Sequence, residues 1–121
     1  MDFGEMCPRF EKTAEILGKR WTGLILRSLM EKPRRFTEIR DYVSGLSDRL
    51  LSERLQELEE AGIVERKVYP QRPVVIEYSL TKKGADLRRV LEAIQTWADR
   101  WIPMQETPEK TLMSSTSPDP G

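Results

Sequence analysis

The sequence predicts a mainly α fold carrying one small β-hairpin, an α+β class in which helices supply most of the core. Three observations point there. Apolar residues recur at helical spacing through most of the chain, the period switches to partial alternation only between residues 63 and 80, and just 7 of 121 residues are glycine. With 38% hydrophobic and 33% charged residues, the chain has the profile of one compact domain with one modest core.

Pro8 suits the first position of a helix. Phe10, Thr13, Ala14 and Leu17 follow at helical spacing until Gly18 offers a stop. The run Trp21 to Met30 is apolar at Trp21, Leu24, Ile25, Leu26, Leu29 and Met30, more than one face, and reads as the central buried helix ended by Pro33. After the basic turn Lys32-Pro33-Arg34-Arg35-Phe36, Thr37 is placed to cap a short helix with Ile39, Tyr42 and Val43 facing inward. Ser44-Gly45-Leu46 then breaks the chain. Ser47 caps a helix of roughly four turns in which Leu51, Leu55 and Leu58 form an i, i+4, i+7 stripe, and Gly62 fits the left-handed position after it.

Residues 63–69 and 74–80 are rich in β-branched side chains, with Val64 and Val68 on one side of the first strand and Ile76, Tyr78 and Leu80 on one side of the second. Their connection, Tyr69-Pro70-Gln71-Arg72-Pro73, is too proline-rich for a two-residue turn and is expected to project as a loop. Thr81 caps a last helix in which Leu87, Leu91, Ile94, Ala98 and Trp101 repeat at steps of four and three, widened by Val90 and Trp97. The expected division is one domain over 1–102 and a flexible tail over 103–121, whose proline, serine and threonine content sustains no period.

Composition excludes several functions. There is no histidine, which removes the commonest general base and metal ligand together with every Ser-His or Cys-His pair; no catalytic residue, metal site or cofactor is expected. No stretch reaches the roughly 18 apolar residues of a membrane span and no signal peptide opens the chain, so a cytoplasmic protein is expected. The single cysteine, Cys7, cannot form an intrachain disulfide.

Net charge is zero, yet residues 19–43 carry seven basic residues against three acidic ones. Segregation of this kind suits a module with one nucleic-acid face. Two helices joined by a tight turn and followed by a hairpin can place a helix in the major groove of double-stranded DNA and a loop beside it, the arrangement of a winged helix-turn-helix. In the 47–62 helix the leucine stripe faces inward and leaves Asp48, Arg49, Ser52, Glu53 and Gln56 outward, with Ser47 at the helix start, where a phosphate is favoured. Arg49 is placed to reach the two acceptors of guanine. Arg34, Arg35, Arg66 and Lys67 supply positive charge against the acids of that helix, and Gln71 and Arg72 form the loop tip, suited to the minor groove. The alternative is a winged-helix module that binds protein, which would leave no continuous positive face.

The ordered combination Cys7-Pro8, Gly18-Lys19-Arg20-Trp21, Arg35-Phe36-Thr37-Glu38-Ile39, Leu46-Ser47, Leu55-Gln56-Glu57-Leu58-Glu59, Gly62-Ile63-Val64, Tyr69-Pro70, Glu77-Tyr78-Ser79-Leu80-Thr81 and Gly84 resembles the HxlR family of bacterial and archaeal transcription regulators. The resemblance runs from about Cys7 to Trp101. It implies a MarR-like winged helix with extra N- and C-terminal helices for dimerisation, and a homodimer whose two reading helices meet a pseudo-palindrome. Phe10, Leu87, Leu91, Ile94, Trp97 and Trp101 are the expected dimer contacts. It further implies a regulator, more often a repressor, responding in some members to electrophiles or oxidants through a cysteine at the position of Cys7. A small-molecule effector is compatible with the family, but the motifs do not name one.

Overall fold

The computed structural model describes residues 7–104. The chain divides into two compact units, one ending at Arg88 and the other beginning at Arg89. The first contains α1 (Pro8–Leu17), α2 (Thr22–Glu31), β1 (Arg34–Arg35), α3 (Phe36–Tyr42), α4 (Asp48–Glu60), β2 (Val64–Tyr69), β3 (Val75–Leu80) and the single turn α5 (Lys82–Ala85). The second holds all but the first residue of α6 (Arg88–Trp101).

Within the first unit, Ile25, Leu26 and Leu29 of α2, Ile39 and Val43 around α3, and Leu51, Leu55 and Leu58 of α4 are all buried, and Leu46, Ile63, Val64 and Tyr78 complete the core. The leucine stripe of α4 therefore faces inward as the spacing predicts. Both ends of that helix are chemically defined. The Ser47 hydroxyl accepts from the Leu50 amide at 3.1 Å, satisfying one of the orphan donors of the first turn. At the other end the Gly62 amide bonds to Glu59 O and the Ile63 amide to Leu58 O, both at 2.9 Å, around a Gly62 φ of 75° that glycine adopts without a Cβ clash.

Three expectations are corrected here. The basic turn at Arg34 and Arg35 is a short strand, and the sheet has three antiparallel strands in the order β1-β3-β2, with Arg34 opposite Tyr78 and Arg35 opposite Glu77. Helix α3 starts two residues earlier than a Thr37 cap requires, with Arg35 in the cap position. Its first turn is closed by the Glu38 carboxylate, which accepts from the Arg35 amide at 2.8 Å. Tyr42 is not inward but 40% exposed. Val64 and Val68 share one side of β2 as expected, and Val68 is 50% exposed because β2 runs out beyond the core after Val64.

The single terminal helix is interrupted. The Thr81 hydroxyl accepts from Gly84 N at 3.1 Å and donates to Gly62 O at 2.6 Å, so it caps only α5. Gly84 lies so close to the Ile63 carbonyl that a Cβ there would overlap it. The chain turns at Asp86 and Leu87 before α6 begins, leaving Leu87 in the turn rather than on the helix. In α6, Val90, Ile94, Trp97 and Trp101 are exposed, the two tryptophans at 60% and 62%.

Candidate nucleic-acid interface

Helix α4 follows α3 across the turn Val43 to Ser47, in which Gly45 takes a φ of 92°. With leucines holding its inner face, Arg49, Ser52 and Gln56 are exposed on the outer one. Arg49 is 89% exposed along its side chain and its Nε lies 3.4 Å from a Glu53 carboxylate oxygen. An i, i+4 pair at such exposure contributes only a few tenths of a kcal/mol, so the guanidinium can exchange Glu53 for a base or a phosphate at little cost.

The acidity of α4, unfavourable near phosphates, is compensated internally. Arg40 of α3 places Nη1 3.1 Å from both oxygens of Asp48. Glu53 meets Arg49. Glu57 accepts from Lys19 at 3.0 Å and from Arg54 at 3.2 Å. Each carboxylate in the stretch Asp48 to Glu57 thus has a basic neighbour, and Glu59 and Glu60 sit at the far end of the helix. Asp48, expected among the DNA contacts, is exposed and pairs with Arg40 across the turn.

Arg34 is turned inward. Its side chain is 12% exposed, Nε donates to Ser28 O at 2.7 Å, Nη2 meets Glu31 at 2.6 Å, and the guanidinium lies 4.8 Å from the Tyr42 ring centroid. Tyr42 in turn donates its hydroxyl to Glu31. The group ties the end of α2 to α3, and Arg34 is withdrawn from the expected contact set.

The sheet sorts the remaining cations. Residues opposite one another share a face, so Arg34, Tyr78 and Arg66 form one row while Arg35, Glu77 and Lys67 form the other. Arg66 and Lys67 therefore point to opposite faces and do not act as one patch. Arg35 and Lys67 flank Glu77, whose carboxylate also accepts from the Tyr69 hydroxyl at 3.2 Å. Beyond them the loop of residues 70–74 exposes Gln71 and Arg72, with a cis bond between Arg72 and Pro73.

Sequence reasoning missed Arg40, Lys19, Arg54 and Tyr42 as organising residues. Only the i, i+3 spacing of Arg54 and Glu57 was a visible signal. Among the described residues no group of acidic or cysteine side chains could hold a metal ion, and no helix is long and apolar enough to cross a membrane.

This geometry, a helix exposed on its outer face beside a projecting hairpin, matches a known family model. Residues 16–106 fit the HxlR-like helix-turn-helix. The chain belongs to the HxlR family of helix-turn-helix transcriptional regulators. The uncharacterised regulator YvaP of Bacillus subtilis is 53% identical over 102 residues, covering 84% of this chain and 94% of that protein. The B. subtilis regulator YodB is 46% identical over 102 residues, covering 84% and 91%. Its reduced form superposes with a TM-score of 0.75 at 47% identity, covering 81% of this chain and 96% of that one. Its quinone-bound form gives 0.70 at 44% identity, covering 78% and 100%. A MarR-family regulator of Porphyromonas gingivalis shares the fold at 28% identity and a TM-score of 0.73, covering 81% and 95%. The fold is thus a winged helix-turn-helix and the protein a transcriptional regulator, not an enzyme.

Proposed function

We propose that this regulator is a homodimeric repressor that acts in the cytoplasm, reading a pseudo-palindromic operator with the N-terminal half of α4 and gripping the flanking backbone with its wing. The observation that carries the reading is the outer face of α4, where Arg49, Ser52 and Gln56 are exposed while the carboxylates around them are paired with bases. Arg49 reads guanine, Ser52, Glu53 and Gln56 meet base edges or phosphates, and Ser47 with the first-turn amides receives a phosphate. Arg35, Arg66 and Lys67 contribute positive field, and Gln71 and Arg72 enter the minor groove. Two copies associate through α6, using Leu91, Ile94, Trp97 and Trp101 with Phe10 and Leu87, which places two reading helices on successive major grooves. A dimer seated on promoter DNA excludes polymerase, which is the basis for repression.

The test is selection from a random pool of duplexes. Enrichment of a two-fold-related sequence supports the proposal; recovery of unselected duplexes, or none, overturns it and favours the protein-binding module.

Cys7 is the proposed point of chemical control. It is free, partly exposed and the residue preceding α1, and the relative YodB has been crystallised with quinone bound. Addition of the thiolate across a quinone ring yields a hydroquinone thioether, with no further reactant needed. Incubation with a benzoquinone is expected to add one quinone mass per chain, located at Cys7 by peptide mass spectrometry and absent in Cys7→Ser. An unmodified Cys7 under conditions that label free thiol would exclude the role.

A further inference from the structure

The connection between α1 and α2 makes three contacts with the helix-turn-helix that its sequence position does not foretell. Arg54, on α4, donates Nε to Arg20 O at 3.1 Å and Nη1 to both oxygens of Glu57 at 3.4 and 3.2 Å. Lys19 reaches the same carboxylate at 3.0 Å. Trp21 Cη2 lies 3.7 Å from the point a Cβ on Gly45 would occupy, in the turn that precedes α4, and the Arg20 guanidinium stacks 4.9 Å above the Trp21 ring. Trp21 itself holds a φ of 80°, a left-handed conformation that a bulky residue keeps only where its surroundings over-determine it. One short segment thus meets both the middle of the turn and the third turn of the reading helix.

We propose that Arg54 is a positioning residue for DNA reading: it anchors α4 to the Lys19-Arg20-Trp21 connection and so fixes the roll and depth at which Arg49, Ser52 and Gln56 meet the groove. The inference rests on the reading of α4 as the recognition helix. Buried leucines fix which face of α4 points inward, but apolar packing is non-directional and leaves small rotations inexpensive. Directional hydrogen bonds remove that freedom. Arg54 is only 15% exposed and its fork is already engaged by Arg20 O and Glu57, so it is not arranged to bind a phosphate. Two residues from both Ser52 and Gln56, it lies about 200° round the helix from either, on the inner flank beside Leu51 and Leu58, so it acts on the outward stripe from behind. Lysine cannot replace it, because an ammonium lacks the planar fork that bonds the carbonyl and the carboxylate together.

The experiment compares wild type with Arg54→Lys and Glu57→Gln, well below their melting temperatures, on a selected duplex and on a scrambled one across a salt series. For Arg54→Lys the ratio of selected to scrambled affinity is expected to fall about tenfold, in the range of one mismatched base pair, with the salt slope unchanged. Glu57→Gln, which removes a negative charge, is expected to lower the same ratio even as affinity for scrambled DNA rises. If instead a third variant, Arg54→Ala, lowers the salt slope by about 0.9 with the ratio intact, Arg54 is a phosphate contact and the proposal is overturned. An unchanged ratio in both Arg54→Lys and Glu57→Gln overturns it as well. Hydrogen exchange on the DNA-free protein separates this inference from the functional reading. Arg54→Lys is expected to speed exchange of the Thr22 amide, bonded to Lys19 O at 3.2 Å, and of the Gly45 turn. Protection unchanged at both places would refute the anchor whether or not the protein selects any DNA.

Discussion

Replacing Trp97 and Trp101 together by glutamate is expected to convert the proposed dimer into a folded monomer and to weaken binding to the proposed operator by about 10²- to 10⁴-fold, the avidity of two linked modules. Both rings lie on α6 at 60% and 62% exposure, and Ile94 and Val90 extend the same exposed apolar set. Large apolar side chains concentrated on one exposed helix mark an association surface rather than an ordinary solvent face. Two glutamates per helix would then be forced against two from the other copy, adding like-charge repulsion and desolvation to the lost contacts. Sedimentation gives the mass and binding to a single half-site gives the control: half-site affinity should be nearly unchanged while full-site affinity collapses. A variant that remains dimeric and binds the full site as wild type does would remove α6 from the assembly.

Leu55→Ala is expected to cost about 2–5 kcal/mol, a large part of the roughly 5–15 kcal/mol that holds a domain of this kind folded. Leu55 is 1% exposed between Leu51 and Leu58, all three on the inner face of α4. Truncation leaves a cavity beneath α4, and close-packed neighbours fill such a space only in part. The midpoint of urea unfolding should fall with the slope unchanged. The opposite comparison is Gln56→Ala on the outer face, where stability should stay within about 0.5 kcal/mol. Equal losses at the two positions would mean that the inner and outer faces of α4 have been assigned incorrectly.

Most of the fold was legible because its elements are strongly periodic. Leu51, Leu55 and Leu58 declare α4, and Ser47 and Gly62 mark its ends through capping chemistry that acts over one turn. The features that escaped have no local signature. A two-residue strand such as Arg34–Arg35 has no period, and its pairing with β3 spans more than forty residues. The break at Asp86 and Leu87 is hidden because apolar steps of three and four continue across it, and the close approach of Gly84 to the Ile63 carbonyl pairs residues too far apart in sequence to be read locally. In the site, exposed positions on α4 followed from helical geometry alone, so Arg49, Ser52 and Gln56 lie outward as expected. Arginines are harder to place. Arg34 and Arg35 are adjacent in a basic run, yet the strand sends one to the core side and one to the other, and Arg34 is spent on Ser28, Glu31 and Tyr42. Arg40 and Asp48 meet only because the turn at Gly45 folds α3 back toward the start of α4.

The most direct measurement of DNA reading by α4 is guanine methylation interference on a selected duplex, run with wild type and with Arg49→Ala. The expected wild-type pattern is interference at guanines in two symmetry-related half-sites whose centres lie about one helical turn, 10 bp, or a multiple of it apart. In Arg49→Ala, binding should weaken by about 1–3 kcal/mol and interference should vanish at one guanine in each half-site while persisting elsewhere. Interference confined to a single site without symmetry, or a pattern identical in wild type and Arg49→Ala, would contradict recognition by a dimer through the exposed face of α4.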